Sequence, residues 1–278
     1  MRSRVSAAIR WILIIALCGC AHTPPNVEAR IATANAIAMA AGWEALRVPT
    51  NAFVFAAYAS PAQREAVDVL TVYVEGDGLA WLNTSTESPD PTPLNPLALR
   101  LAVQHPGNSA AWLARPCQYV TGDERRNCST RWWTSHRFAE DVIAASNSAI
   151  DELKRHANAR RVALVGYSGG AAVAVLVAAR RSDVAHLTTI AGNLDHRLWT
   201  RWHALTPLSG SLNPADAAAS LTHVAQTHWV GGRDEVVGRR LADAFVGGMP
   251  IESRPRISVL AEADHYCCWV EHWPQLMR

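Results

Sequence analysis

The stretch Val162–Ala179, VALVGYSGGAAVAVLVAA, decides how this chain folds. A short apolar run from Val162 to Val165 meets Gly166-Tyr167-Ser168-Gly169-Gly170, and an alanine- and valine-rich run follows at once. The first run, taken from Arg161 to Tyr167, fits a strand covered on both faces of a parallel sheet. The second, from Gly170 to Arg180, has the composition of a helix. A serine between glycines at such a junction is either the filler of a tight turn or a nucleophile held up on a sharp bend. The second case is the G-x-S-x-G elbow, in which the serine takes a strained backbone and the glycines remove side chains that would collide. The helix behind it then offers unpaired N–H groups to negative charge developing on a carbonyl oxygen.

A serine hydroxyl needs a base, and the base needs an acid to orient it. The strand expected over 227–231 runs into Arg233-Asp234-Glu235, and that over 257–261 runs into Asp264-His265. A carboxylate and a histidine, each just past its own strand, follow the serine in the order Ser168, Asp234, His265. Each has a plainer reading alone: Asp234 as the N-cap of the next segment, His265 as a surface histidine. Asp195 and His196 follow a different strand and stand as the alternative acid and base.

From about Val72 to the C-terminus the chain resembles the α/β-hydrolase superfamily. It is similar to a group of bacterial lipoproteins with a Tyr-x-Glu-Gly-Asp-Gly stretch before the elbow, here Tyr73-Val74-Glu75-Gly76-Asp77-Gly78. The resemblance implies an α/β-hydrolase fold, a mostly parallel sheet with helices on both faces. It implies a catalytic triad of Ser168, Asp234 and His265 in an elbow built with Gly166, Tyr167 and Gly170, and an oxyanion hole made by the backbone N–H groups of Asp77 and Gly169. The departure is Glu75, which stands where the superfamily has a histidine. A carboxylate near an oxyanion opposes it, so the side chains of Glu75 and Asp77 must point away or hold the loop by hydrogen bonds. The plain alternative is a glycine turn after a strand. The implied reaction is acyl transfer to water without a cofactor, on a small-molecule or lipid-like acyl substrate. Esters, thioesters and amides share this machinery, so a peptidase or thioesterase of the same fold remains open. The rival from another class is a non-catalytic envelope binding module on a hydrolase scaffold.

The rest of the chain agrees with one large α/β domain over residues 28–278. Of 278 residues, 49% are hydrophobic and 18% charged, enough for a sizeable core. The net charge of +2 is too small to point to a nucleic-acid partner. Helices are expected over 27–43, 96–104, from Ser135 onward with Phe138 on the buried face, and over 236–245 and 269–276. Strands are expected over 53–57, 70–74, 111–114 and 187–191. Strands alternating with helices predict a parallel sheet wrapped on both faces. Trp199 and Trp202, near helical spacing with Leu198 and Leu205, fit a core or cap helix, or the wall of an acyl pocket. Arg115 fits a structural ion pair. The oligomeric state is left open.

Arg2, Arg4 and Arg10 precede and flank an apolar core, Trp11 to Leu17, of signal-peptide length. It ends in Leu17-Cys18-Gly19-Cys20, which resembles the lipobox of bacterial lipoproteins, with Cys20 as the lipidated residue. That reading makes 1–19 a signal peptide and 20–27 a tether. It implies a membrane-anchored protein of the cell envelope, and with Ala21 next, the periplasmic face of an outer membrane. The plainer reading is an ordinary signal peptide with incidental cysteines. Export favours disulfides. Cys117 and Cys128 bracket a polar loop and are expected to pair. Cys267 and Cys268 are adjacent and stand as a vicinal pair, as free thiols or as partners of other cysteines. With His272 they match no usual zinc spacing, so no metal is expected.

Overall fold

The computed structural model describes residues 24–277. The leader, Cys18, Cys20 and the start of the tether lie outside the described residues.

The chain alternates strands and helices. The strands are β1 (Glu44–Pro49), β2 (Val54–Ala59), β3 (Val67–Val74), β4 (Ala110–Leu113), β5 (Ala159–Tyr167), β6 (Val184–Ile190), β7 (Gln226–Gly231) and β8 (Ile257–Leu260). The helices are α1 (Val27–Ala40), α2 (Leu97–Ala102), α3 (Glu140–His156), α4 (Gly169–Ala178), α5 (His196–Trp202), α6 (Arg239–Gly247) and α7 (Trp269–Leu276). One sheet takes the order β1-β2-β4-β3-β5-β6-β7-β8. β2 is antiparallel to β1 and β4, and the other pairings are parallel.

The chain leaves β3 for β4 on one side and returns to β5 on the other, which makes the C-terminal end of β3 a topological switch point. Register puts Val74 beside Leu113 of β4 and Gly166 of β5, so these strands end at one sheet edge. β3 packs both faces at once. Leu70, Val72 and Val74 belong to one core cluster, while Tyr73 belongs to the other with Trp112, Trp269 and Trp273, as alternation across a strand requires. α4 is buried along its whole length, as expected of a helix apolar all round. Among the described residues, no helix is long and apolar enough to cross a membrane.

Four local expectations change. β1 was not expected: Leu46 and Val48 alternate over too short a span to stand out, and its place is set by antiparallel pairing with β2. α3 starts at Glu140, not Ser135, and Phe138 is fully buried in the turn before it. α6 starts at Arg239, not Val236, because Asp234 Oδ1 takes the amides of Val236 and Val237 into a capped turn. α1 begins at Val27 as expected, with Asn26 Oδ1 accepting from Ala29 N at 2.8 Å, but ends at Ala40 rather than running to residue 43.

Candidate active site

Ser168 sits between β5 and α4 with φ 53° and ψ −120°, a positive φ that costs energy in a residue with a Cβ. The turn is tight enough to exclude neighbouring side chains. A Cβ on Gly166 would come 2.4 Å from Ala171 Cα, and one on Gly170 would come 2.3 Å from the Val74 carbonyl oxygen. Both obstacles are backbone, which cannot swing aside.

The turn aims the Ser168 hydroxyl at the loop after β8. His265 Nε2 lies 3.0 Å from Ser168 Oγ, and His265 Nδ1 lies 2.9 Å from Asp234 Oδ2. Asp234 leads the turn after β7, and its Oδ1 accepts from Val236 N at 2.8 Å and Val237 N at 2.7 Å. The capping reading and the orienting reading of Asp234 therefore hold together, one oxygen for each. Asp234 and His265 are both buried. Tyr167, next to the serine, donates its OH to the His265 carbonyl at 2.8 Å and tilts its ring against the imidazole. Asp195 is occupied elsewhere: it caps α5 through Arg197 N and Leu198 N and accepts from Asn213 Nδ2.

The loop after β3 abuts the elbow. A Cβ on Gly76 would lie 3.5 Å from Ser168 Cβ, and one on Gly169 would come 2.1 Å from Asp77 Oδ1. Among the described residues no acceptor takes the Asp77 amide, and Gly169 opens α4, where first-turn N–H groups have no intrahelical partner. Glu75 turns away from the serine. Its Oε1 accepts from Gly76 N at 2.9 Å and Ala98 N at 3.3 Å, and its Oε2 from Trp112 Nε1 at 2.9 Å. Burial pushes its carboxyl up to about 7, against those hydrogen bonds. Asp77 is clamped between Arg115 Nη1 at 2.9 Å and Arg137 Nη1 at 2.8 Å. Its burial is outweighed by the two guanidinium groups, and its carboxyl stays below the ordinary value. Arg115 is thus the structural ion pair expected of it. Its companion Arg137 was not foreseen, because in the sequence it sits inside an apparent helix start.

Gly76, Asp77, Arg137, Tyr167, Ser168 and His265 line a cleft of about 640 Å³. Leu79, Pro93, Leu97, Trp199 and Val237 supply apolar wall, and Trp81, Leu94 and Tyr266 stand half-exposed or more at its rim. Trp199 is held by Nε1 donating to the Val236 carbonyl at 2.9 Å. Trp202 does not reach the cleft and stacks under Arg240 instead. Cys117 is bonded to Cys128, and Cys267 to Cys268. His272 pairs with Glu262. Among the described residues, no three His, Cys, Asp or Glu side chains gather as metal ligands.

No family model and no curated protein matches the sequence. Solved structures do match in shape. Est1E from Butyrivibrio proteoclasticus is similar at a TM-score of 0.58 and 12% identity, over 84% of this chain and 95% of that one. A Pyrococcus furiosus esterase gives 0.57 at 12% identity, over 84% and 88%. A Pyrococcus horikoshii acylaminoacyl peptidase gives 0.59 at 12% identity, over 84% of this chain and 39% of that larger one. With its eight-stranded, mostly parallel sheet, the chain has the α/β-hydrolase fold.

Proposed function

We propose that this chain is a serine hydrolase that cleaves carboxylic esters, anchored in the cell envelope through a lipid on Cys20. The observation that carries the hydrolase reading is the continuous row Ser168 Oγ, His265 Nε2, His265 Nδ1, Asp234 Oδ2, with both gaps at hydrogen-bond length. In the first step Ser168 Oγ bonds to the ester carbonyl carbon while His265 Nε2 takes the hydroxyl proton. Asp234 holds the ring with Nδ1–H toward itself and offsets the charge of the imidazolium. The amides of Asp77 and Gly169 receive the oxyanion, and the clamp on Asp77 fixes the loop that carries the first of them. The tetrahedral intermediate then expels the alcohol, protonated by His265, and leaves an acyl group on Ser168. Water repeats the sequence on the acyl-enzyme and releases the acid. These steps use only the chain's own groups and water.

The fold resemblance to named esterases, and the apolar wall beside Ser168, favour esters. The neighbour named as an acylaminoacyl peptidase is the reason to carry amides in the same test. A non-catalytic binding module would have no use for an intact acid, base and nucleophile in line. The experiment is active-site labelling with a fluorophosphonate, followed by a panel of chromogenic esters, thioesters and anilides. Wild type should label and turn over esters, and Ser168→Ala should do neither. A loss on the order of 10³-fold or more is expected for Ser168→Ala and for His265→Ala alike, since the groups act as a unit. An unlabelled, inactive wild type would sink the enzyme reading.

A further inference from the structure

Two polar side chains on the cleft have bonding capacity that no partner among the described residues uses. Arg137 is only 6% exposed. Its Nε donates to the Thr134 carbonyl at 2.8 Å and its Nη1 to Asp77 Oδ2 at 2.8 Å, but among the described residues Nη2 has no acceptor. Asn193 is 2% exposed and lies beside the nucleophile, its backbone N–H donating to the Ser168 carbonyl at 3.1 Å. Its Oδ1 is buried without a partner among the described residues. Both residues line the same cleft as Ser168 and His265. A guanidinium that is buried apart from one edge open to the cleft, beside a nucleophile, marks where a ligand's polar atom can pair.

The charges point to the kind of ligand. Arg115 and Arg137 both face Asp77, so two guanidinium groups stand against one carboxylate. Glu75 does not restore the balance, since its carboxyl faces the start of α2 and the Trp112 indole. Asp234 is committed to His265 and the turn after β7. One positive charge is left over beside the cleft, on a side chain largely taken out of solvent, where a partner anion gains a charge-assisted hydrogen bond. Of the pair, Arg137 is the one that reaches the cleft.

We infer that Arg137, helped by Asn193, forms a subsite for an anionic oxygen group of the substrate. The preferred substrates are then esters that carry a carboxylate or a phosphate a few bonds from the scissile carbonyl. The guanidinium edge at Nη2 donates to one oxygen of that group, and the Asn193 amide, beside Ser168, offers Nδ2 to another. The apolar wall takes the rest of the molecule. This rests on the serine-hydrolase reading and narrows it to a substrate class.

The test compares kcat/KM within two matched pairs. In the first, the p-nitrophenyl monoester of glutaric acid is set against p-nitrophenyl valerate. In the second, dibutyrylglycerol 3-phosphate is set against dibutyrylglycerol. Wild type should prefer the anionic member of at least one pair by about tenfold or more, as one charge-assisted contact supplies. The pair that shows the preference identifies carboxylate or phosphate. Arg137→Gln should bring that ratio close to one, mainly through KM of the anionic ester. Arg137→Lys should keep part of it, having the charge without the fork, and Asn193→Ala should lower it by a smaller factor. Because each value is a ratio, losses from a disturbed Asp77 clamp cancel. Wild-type ratios at or below one in both pairs, or a ratio unmoved by Arg137→Gln and Asn193→Ala, would overturn the subsite. Fluorophosphonate labelling and turnover of the neutral esters separate the two levels. A labelled protein that hydrolyses neutral esters without anionic preference loses only the subsite, whereas one that neither labels nor hydrolyses any ester loses both.

Discussion

Glu75 shows what a single residue decides at this site. The wider superfamily pattern that the sequence resembles implies a histidine at that position, and a carboxylate there would oppose an oxyanion. The chain resolves the conflict by direction and burial: the carboxyl accepts from Gly76, Ala98 and Trp112 and is pushed up to about 7. A carboxyl whose value is raised in the fold binds its proton more tightly there than in the unfolded chain. Its stabilising contribution is complete below the ordinary value of 4.5 and is lost as pH rises through about 7. The loss over that window is at most roughly 3 kcal/mol. Urea unfolding of wild type and Glu75→Gln between pH 4.5 and 8 should therefore show the wild type losing stability relative to the variant as pH rises. A difference that stays flat with pH would mean that Glu75 is no more protonated in the fold than out of it. The hydrogen-bonded row of Ser168, His265 and Asp234 was legible at this scale because three residue types with fixed order and strand context leave few alternatives. Arg137 was not legible: an arginine in THRF-like surroundings, here Thr134-Ser135-His136-Arg137-Phe138, carries no sign of the Asp77 carboxylate it meets 60 residues away.

At the scale of elements, the loop after β4 braces the loop after β3. Only its tip, residues 122–127, is polar and outward. Cys117, Gln118, Tyr119 and Val120 are buried, which the reading of the loop as wholly polar did not foresee. Gln118 Oε1 accepts from Arg115 N at 3.1 Å, and its Nε2 donates to the Gly76 carbonyl at 3.0 Å. Arg125 pairs with Asp90 and donates to the Cys117 carbonyl at 3.0 Å. The Cys117–Cys128 bond closes this loop, and closing one of that length contributes roughly 3 kcal/mol through chain entropy. Removing it as Cys117→Ser with Cys128→Ser should lower Tm by about 6–12 °C for a domain of this size. Turnover by the protein that stays folded should change less, since the Gln118 and Arg125 contacts survive. Thermal melts that coincide would show that those polar contacts alone fix the loop. Long apolar strands such as β5 were readable because both faces are buried and the pattern is nearly continuous. β1 was not, because an edge strand is defined by the partner it pairs with, and the start of α3 was misplaced because Phe138 is buried by a turn, which produces the same apolar spacing as a helical face.

At the scale of the whole molecule, the anchor proposed on Cys20 would set where the cleft sits. α1 begins at Val27, with its cap at Asn26 six residues after Cys20, and it is fastened close to the cleft. Arg30 donates through Nη1 to the Thr92 carbonyl at 2.5 Å and lies 3.9 Å from Asp90, in the loop whose Pro93, Leu94 and Asn95 line the cleft. A lipid on Cys20 would be joined to this helix by a chain that spans at most about 20–22 Å when fully extended. The loop edge of the cleft would then stay near the bilayer, with Trp81, Leu82, Leu94 and Tyr266 as the large apolar side chains exposed around it. Such a geometry suits substrates that reach the cleft from the membrane side, with the anionic group at Arg137 and the apolar part along the wall. The expected outcome is that protein from an expressing bacterial host partitions into detergent, and that mass spectrometry finds acyl chains on an N-terminal Cys20. Cys20→Ser should give unprocessed or water-soluble protein that still labels with fluorophosphonate, because the triad does not depend on the anchor. Its turnover of a dispersed ester should match wild type, while its turnover of the same ester presented in vesicles should fall. A mature N-terminus at another residue would remove the anchor from this account and leave the chemistry at Ser168 untouched.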